Sequence, residues 1–125
     1  MPTIESAIEA VAPTPNAGLI ITPGIPITDR RKLIFALASR YRLPAVYMFR
    51  FFAVDGGLLS YGPDDLDMVR GSATYVDRIL KGEKPGDLPV QAPVKYELVI
   101  NLYAAKAIGL TIPPNLFALA NEVIE

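Results

Sequence analysis

The chain has 125 residues, a net charge of -1, and a composition that is 51% hydrophobic and 20% charged. This length suits one domain, and the apolar content is enough for a buried core, so a disordered chain is excluded. Lysine and arginine are scattered, which argues against a nucleic acid partner because counterion release needs a concentrated basic surface. Cysteine and histidine are absent, which removes disulfides, thiolate metal sites, a Ser-His triad and the commonest general base.

The N-terminal half alternates between amphipathic and short apolar segments. The pattern predicts a helix over 3–11 capped by Thr3, a buried parallel strand over 18–24, a helix over 27–42 capped by Thr28 or Asp29, a buried strand over 43–49, and a short strand over 58–62. Gly56 and Gly57 stand just before the last of these strands. Neither a helix nor a plain core strand favours such a pair.

The C-terminal half begins with the clearest helical pattern in the chain, started by Pro63 and Asp64 and stopped by Gly82. Its apolar stripe consists of Leu66, Val69, Ala73, Val76 and Leu80. The remaining pattern predicts an extended linker over 83–94, a strand over 95–102, a short helix over 103–110, and a final helix over 115–125 capped by Asn115.

Helices that alternate with short buried strands predict an α/β fold, a three-layer parallel sheet. Ligands of such sheets bind beyond the carboxyl ends of the strands. Two segments here occupy those ends, TPGIPITD at 22–29 and FRFFAVD at 49–55. We therefore expect the ligand site at this edge of the sheet.

The first of these segments could present backbone N–H groups to a carboxylate or phosphate, although the pattern favours an ordinary βα turn. The second places Phe49, Phe51 and Phe52 around Arg50, a combination that suits a small apolar acid. At least one residue of the pair Phe51 and Phe52 is expected in the core.

Two charged clusters have both a functional and a structural interpretation. Asp64, Asp65 and Asp67 could bind a metal, but acidic residues also stabilise a helix N-terminus, which the pattern favours. The run 30–32 could bind an anion, but a solvated helix face explains it better. We predict no catalytic residue, no metal and no cofactor, because an enzyme would need a base from Asp or Lys and no convincing pair is present.

Three motifs carry a family resemblance: GGLLSYG at 56–62, ILKGEKPGDLPV at 79–90 and LVINL at 98–102. Together with 43–55 and the end ANEVIE, they resemble the C-terminal portion of ABC-transporter substrate-binding proteins of the tryptophan/tyrosine-type uptake family. The resemblance implies a type I periplasmic binding fold, in which two flavodoxin-like lobes enclose a small solute and pass it to an ABC permease. The activity would be non-covalent capture, not catalysis.

The resemblance also implies a division of the chain. Residues 1–62 would be a partial second lobe ending in a hinge strand, 63–82 a helix that belongs with the first lobe, and 83–125 a linker, returning strand and C-terminal helices. Gly56 and Gly57 would permit hinge motion. The ligand-facing positions carried over are Thr22, Pro23, Gly24, Ile25, Thr28, Phe49, Arg50, Phe51 and Tyr61.

The chain is much shorter than a full member of that family, and it begins inside a predicted helix, so we expect a truncated lobe. A full-length parent would be periplasmic, although the first ten residues contain no signal peptide pattern. Members often carry an acidic residue where this chain has Phe49 and Arg50, so the solute, an amino acid or an aromatic or carboxylic acid, stays open. The strand over 18–22 would have an open apolar edge, which predicts a homo-oligomer. The alternative is a stand-alone ligand-sensing or dimerisation domain built on the same half-fold.

Overall fold

The computed structural model describes residues 3–125. Its helices are α1 (Ile4–Val11), α2 (Ile25–Asp29), α3 (Arg31–Arg40), α4 (Arg50–Val54), α5 (Asp65–Leu80), α6 (Leu102–Ala107) and α7 (Pro114–Ala118), with a 3-10 turn at Pro85–Asp87. Its strands are β1 (Leu19–Ile21), β2 (Ala45–Tyr47), β3 (Leu59–Pro63), β4 (Tyr96–Asn101) and β5 (Glu122–Ile124). The predicted cap of α1 is confirmed, because the Thr3 side chain accepts from the backbone N–H of Ser6.

The five strands form one sheet in the order β1-β2-β3-β4-β5. Every neighbouring pair is parallel except β3 and β4, which are antiparallel. The chain leaves β3, passes through α5 and the linker, and returns at the same end of the sheet, where Pro63 pairs with Tyr96. The α/β class and the flanking helices are confirmed, and the expectation of a wholly parallel sheet is wrong at this one pair.

The core lies on the sheet face to which Ala45 and Tyr47 point. Helices α1, α3 and α4 supply Ile8, Ile34 and Phe52, each of which is at most 5% exposed. The Phe52 ring stacks on Tyr47 with centroids 5.3 Å apart, and Phe35 meets Tyr47 edge-on at 5.4 Å. This aromatic packing fixes α4 over the sheet.

Three element assignments are corrected by the structure. The predicted helix over 27–42 is two helices, separated at Arg30, and Gly24, not Thr28 or Asp29, stands at the first N-cap. Residues 50–54 form α4, not the end of a strand. The predicted final helix is the five-residue α7, with Pro113 at its N-cap in place of Asn115, followed by strand β5. The parallel pairing of β5 with β4 overrides the helical pattern, because the open edge of β4 supplies backbone partners.

Four helices end in the same hydrogen-bonded motif, in which a residue with positive φ follows the C-cap. After α4 that residue is Gly56, with φ of +124°; Gly57 N–H donates to the Phe52 carbonyl at 2.8 Å and Gly56 N–H to the Ala53 carbonyl at 3.3 Å. The same position is occupied by Gly82 after α5 and by Gly109 after α6. After α3 it is occupied by Arg42, which has φ of 52°. Gly56 therefore has a local reason to be glycine, which is the termination of a helix that the sequence pattern did not reveal.

Two apolar surfaces, on strand β1 and on helix α5, are exposed in the described structure. Strand β1 pairs only with β2 in the described sheet, and Ile20 is 83% exposed, so the expectation of a buried strand is wrong at this residue, although its open edge is as expected. Helix α5 is confirmed with its Asp64 cap, yet it contains no buried residue. Its predicted stripe, Leu66, Val69, Ala73, Val76 and Leu80, is exposed throughout. Helix α5 is therefore amphipathic in sequence, but its apolar stripe is left exposed within residues 3–125.

Candidate functional site

The carboxyl ends of β1, β2 and β3 lie at one edge of the sheet, because these three strands are parallel neighbours. Residues 22–25 follow β1, and residues 48–51 follow β2. The structure therefore brings the two predicted ligand segments to the same edge. Both are accessible: Thr22, Pro23, Gly24 and Ile25 are exposed, Thr28 and Phe49 are half-buried, and Arg50 and Phe51 are exposed.

The segment after β1 forms a compact turn into α2. The Gly24 carbonyl accepts from the backbone N–H groups of Ile27 and Thr28, each at 3.0 Å, and from the Thr28 hydroxyl at 3.3 Å. The Thr28 carbonyl in turn accepts from Arg31 Nη1 at 3.1 Å. These bonds show that the segment is an ordered βα turn, which is the plainer of its two interpretations.

Aromatic rings run from the core to the surface at this edge. Phe52 is 1% exposed and stacks on Phe51, with centroids 4.4 Å apart, while Phe51 is 37% exposed. Phe49 and Phe51 are also stacked, at 5.8 Å with an interplanar angle of 13°. The expectation that one of Phe51 and Phe52 belongs to the core is confirmed for Phe52. Phe51 therefore has a partly exposed ring that stacks on the buried ring of Phe52.

Arg50, expected to face a solute, is bound to a partner within the chain. Its Nε donates to Glu122 Oε2 at 2.6 Å and its Nη2 to Glu122 Oε1 at 2.7 Å. The hydrogen bonds to Arg50 lower the pKa of Glu122, and the same contacts raise the pKa of Arg50. Both side chains stay partly exposed, at 50% for Arg50 and 38% for Glu122, so solvent reaches the pair.

Tyr61 lies on the other face of the sheet. Ser60 pairs with Tyr47, so those two residues share a face and Tyr61 points away from the phenylalanine stack. Tyr61 is 59% exposed and lies against Tyr96 of β4, with ring centroids 5.8 Å apart. The structure therefore separates Tyr61 from the other predicted site residues and gives it an aromatic neighbour.

The acidic cluster at 64–67 has the structural role that the pattern favours. Asp64 Oδ1 accepts from the backbone N–H groups of Leu66 at 3.0 Å and Asp67 at 3.1 Å, and Oδ2 accepts from Lys95 Nζ at 2.7 Å. The bond from Lys95 and the two backbone bonds lower the pKa of Asp64. Across residues 3–125, no group of three potential metal-ligating side chains is placed to hold an ion.

The basic run at 30–32 contributes to packing between helices. Arg31 Nε donates to Asp55 Oδ2 at 2.7 Å, which ties the start of α3 to the end of α4. Arg31 is therefore engaged within the protein, whereas Arg30 and Lys32 are exposed, as expected of a solvated helix face. In the described part of the chain, no helix has the length and apolar character needed to cross a bilayer.

A family model described as "ABC transporter substrate binding protein" matches residues 2–124. The chain belongs to this family. The match confirms the resemblance carried by the motifs at 56–62, 79–90 and 98–102. A search of curated proteins returned no match.

Solved structures of similar proteins agree with the membership in this substrate-binding family. A conserved domain protein from Vibrio cholerae is 28% identical with a TM-score of 0.84, over 95% of this chain and 40% of its own. An ABC domain from Streptococcus pneumonia in complex with L-Trp is 25% identical with a TM-score of 0.82, over 97% and 42%. A ligand-free, open substrate-binding protein with adhesive properties from Clostridium difficile shares the fold, with 17% identity and a TM-score of 0.69, over 97% and 40%. This chain thus spans about two fifths of the length of these three proteins.

Within this substrate-binding fold, sequence reasoning missed two residues next to the predicted site. Glu122 was assigned to a helix, and no local signal could pair it with Arg50, which is 72 residues away. The alternation in KYELVINL places Tyr96 on the face of Leu98, but only the structure shows that Leu98 pairs with Tyr61. Both contacts depend on the antiparallel return of β4.

Proposed function

We propose that this chain provides one lobe, its crossing strands and an inter-lobe helix of a solute-binding protein of an ABC uptake transporter. The full protein would capture a small solute non-covalently between two lobes in the periplasm and deliver it to an ABC permease. The single observation that carries this proposal is the partly exposed Phe49–Phe51 stack at the carboxyl edge, in a chain of the substrate-binding family. The proposed division is 1–62 for the lobe, 63–82 for the helix and 83–125 for the return.

The solute class follows from the chemistry at this edge. A flat, partly exposed ring held by a buried neighbour can stack on an aromatic solute at little cost in side-chain entropy. The Streptococcus relative is described in complex with L-Trp, which agrees with an aromatic amino acid or a related acid. We therefore propose an aromatic amino acid or aromatic carboxylic acid as the solute, stacked on Phe51.

The carboxylate of such a solute would need a cation or N–H donors. Arg50 is the cation beside Phe51, but its guanidinium is bound by Glu122. We propose that the solute carboxylate competes with Glu122 for Arg50 as the lobes close. Because the pair is partly exposed and stabilised by no more than roughly 1 kcal/mol, this exchange is within reach of a solute carboxylate.

The test is a titration of the 15N-labelled chain with L-tryptophan, followed by NMR. We expect weak, saturable shifts at 22–28 and 49–51, with a dissociation constant above about 1 μM, because one lobe supplies only part of the wall around the solute. Phe51→Ala should weaken binding at least several-fold. Phe117→Ala, at a ring of similar exposure on α7, is the matched control and should leave it unchanged.

Two results would contradict this proposal. One is a dissociation constant below micromolar, which would mean that this chain holds a complete site. The other is a set of shifts that avoids both segments and does not respond to Phe51→Ala. If L-tryptophan, tyrosine and their deaminated acids all caused no shifts, aromatic amino acids and aromatic carboxylic acids would be excluded as the solute.

The exposed stripe of α5 favours a second candidate, in which the chain is a stand-alone ligand-sensing or dimerisation domain. An amphipathic helix whose apolar face is exposed within residues 3–125 needs a partner surface. The two candidates differ in ligand binding. A dimerisation domain that pairs through this stripe would give no saturable L-tryptophan shifts at 22–28 and 49–51.

A further inference from the structure

A cavity lies at the edge of the sheet opposite to the edge where residues 22–25 and 48–51 follow their strands. It is bounded by Ala45, which begins β2, and by Leu58, which precedes β3. Its walls come from α3 on one side and α6 on the other, through Ala38 and Ala104 among others. The cavity has a volume of about 80 Å³. One water needs at least roughly 10–15 Å³ on the same measure, so the space is several times larger than a single water requires.

Small residues create this space. Ala38, Ala45, Ala104 and Ala107 line it from three different elements, where larger side chains would fill it. The Gly56–Gly57 turn closes one side with backbone in place of side chains. A Cβ on Gly56 would already meet the Phe35 ring at 3.6 Å, so the turn and the α3 wall are close together.

The lining of the cavity is apolar and aromatic. Phe35 and Tyr47 present two rings that are perpendicular to each other, with centroids 5.4 Å apart. Among the described residues that line the cavity, none is charged, and Ser39 and Tyr47 bring the only side-chain hydroxyls. Burial raises the pKa of Tyr47 to about 12, further above pH 7 than that of an exposed tyrosine, so its phenol brings no charge to the cavity. An ionised ligand would therefore lose its hydration without gaining a counter-charge.

We propose that this cavity is a second binding site, for a small neutral aromatic molecule with one polar group, such as phenol. Its ring would pack against Phe35 and Tyr47 in edge-to-face contact, and its hydroxyl would bond to Ser39 or to solvent at the mouth. The site is distinct in place and in chemistry from the carboxyl edge, where a charged solute is expected.

A ligand in this cavity would contact the residues that lead into β3. The Gly56–Gly57 turn forms its wall and leads directly into that strand. Gly57 is held tightly, because a Cβ there would lie 2.7 Å from Tyr47 Cε2 and 2.8 Å from the Phe52 carbonyl oxygen. A ligand against Tyr47 would therefore restrain the ring that sets the position of Gly57, and we expect it to raise the melting temperature.

The test is an NMR titration of the 15N-labelled chain with phenol and, separately, with benzoate at pH 7. We expect saturable phenol shifts at Gly56, Gly57 and Ala104, together with a rise in melting temperature. Benzoate has the same ring and a full negative charge, and it should leave these three amides unchanged. The proposal would be overturned if phenol shifted the amides at 49–51 instead of those at the cavity. It would also be overturned if phenol and benzoate gave equal shifts.

Two filling variants make the test specific. Ala104→Leu and Ala107→Leu project from α6 into the cavity and should each weaken phenol binding at least tenfold. Ala107 is exposed, so its variant keeps the test valid if Ala104→Leu fails to fold. Ala73→Leu makes the same change on exposed α5 and should bind phenol as the wild type does. The proposal would be overturned if Ala104→Leu and Ala107→Leu both bound phenol with wild-type affinity. If the wild type bound phenol but not L-tryptophan, only the proposed function would fail.

Discussion

Arg50 and Glu122 are joined by two hydrogen bonds of 2.6 and 2.7 Å across 72 positions of the chain. The pair links the first residue of α4, at the ligand edge, to the first residue of β5. Strand β5 has three residues and pairs only with β4 in the described sheet, so it has few contacts of its own. The pair therefore helps to hold strand β5 in the sheet. It also binds the guanidinium of Arg50, which is adjacent to Phe51 in the chain.

Glu122→Gln should separate these two roles. Because both side chains are more than a third exposed, we expect a loss of only about 0.2–1 kcal/mol in unfolding free energy, measured by urea denaturation. The freed guanidinium should raise affinity for L-tryptophan, measured by the same NMR titration. Glu83→Gln breaks a comparable pair with Arg78 and should not change ligand affinity. Unchanged or weaker tryptophan binding in Glu122→Gln would show that Arg50 does not contact the solute.

Two carboxylates predict how stability depends on pH. The pKa of Glu122 is lowered by Arg50, and that of Asp64 by Lys95 and two backbone N–H groups. A lowered folded-state pKa means that the stabilisation is fully present above the ordinary carboxylate pKa of about 4 and is lost as pH falls through the folded value. Urea denaturation should therefore show falling stability below about pH 4. The double variant Asp64→Asn, Glu122→Gln should have a shallower slope there, and a slope equal to that of the wild type would contradict the assignment.

The two glycines before β3 should resist substitution for different reasons. Gly56→Ala forces a side chain into positive φ and should cost roughly 1–2 kcal/mol. Gly57 is not among the residues with positive φ, but Gly57→Val would collide with Tyr47 and the Phe52 carbonyl, at a cost of roughly 1–3 kcal/mol. Gly71→Ala is the control, since α5 leaves open space there, and it should stabilise the helix by about 0.5–1 kcal/mol. Thermal melts of the three variants check this, and an unaltered melt of Gly57→Val would disprove the close packing.

Arg42 offers a substitution that should stabilise the fold. It has φ of 52° at the position that glycine occupies after α4, α5 and α6, and its side chain is exposed. Arg42→Gly removes a left-handed strain of roughly 1–2 kcal/mol and loses part of that gain to the greater freedom of the unfolded chain. We expect a net rise in stability of about 0.5–1 kcal/mol by urea denaturation. Arg40→Gly, inside the last turn of α3, should do the opposite, and a loss of stability in Arg42→Gly would mean that the side chain has a role of its own.

The exposed edge of β1 and the stripe of α5 predict that the chain self-associates. Light scattering at tens of micromolar should show a dimer, because an open strand edge and an uncovered apolar helix face both seek partners. Ile20→Lys should weaken a dimer formed at the edge, and Val69→Glu one formed at the stripe, by at least about tenfold, or 1.4 kcal/mol. Leu119→Lys, at another exposed apolar residue, is the control and should have no effect. A wild-type monomer at these concentrations would rule the prediction out.

The local elements of this protein were largely readable from sequence. Helix α5 was predicted with its Asp64 cap and its Gly82 terminus, because caps and stops act within a few residues of the backbone groups that they satisfy. The parallel pairing of β1 and β2 also followed from the alternation of strand and helix, whereas the helix α4 that connects β2 to β3 was not predicted. The family motifs are local stretches too, which is why they were recognised without a structure.

Tertiary contacts decided the rest. Residues 50–54 form α4 because Phe52 packs on Tyr47, and 122–124 form β5 because β4 has a free edge, although neither segment has a strong preference of its own. The same contacts bring Glu122 to Arg50, separate Tyr61 from the phenylalanine stack, and leave a cavity between the alanines of α3 and α6. The approach of Glu122 to Arg50, and of α6 to α3, joins residues far apart in the chain that the antiparallel return of β4 brings together, and a pattern of neighbouring residues does not contain that information.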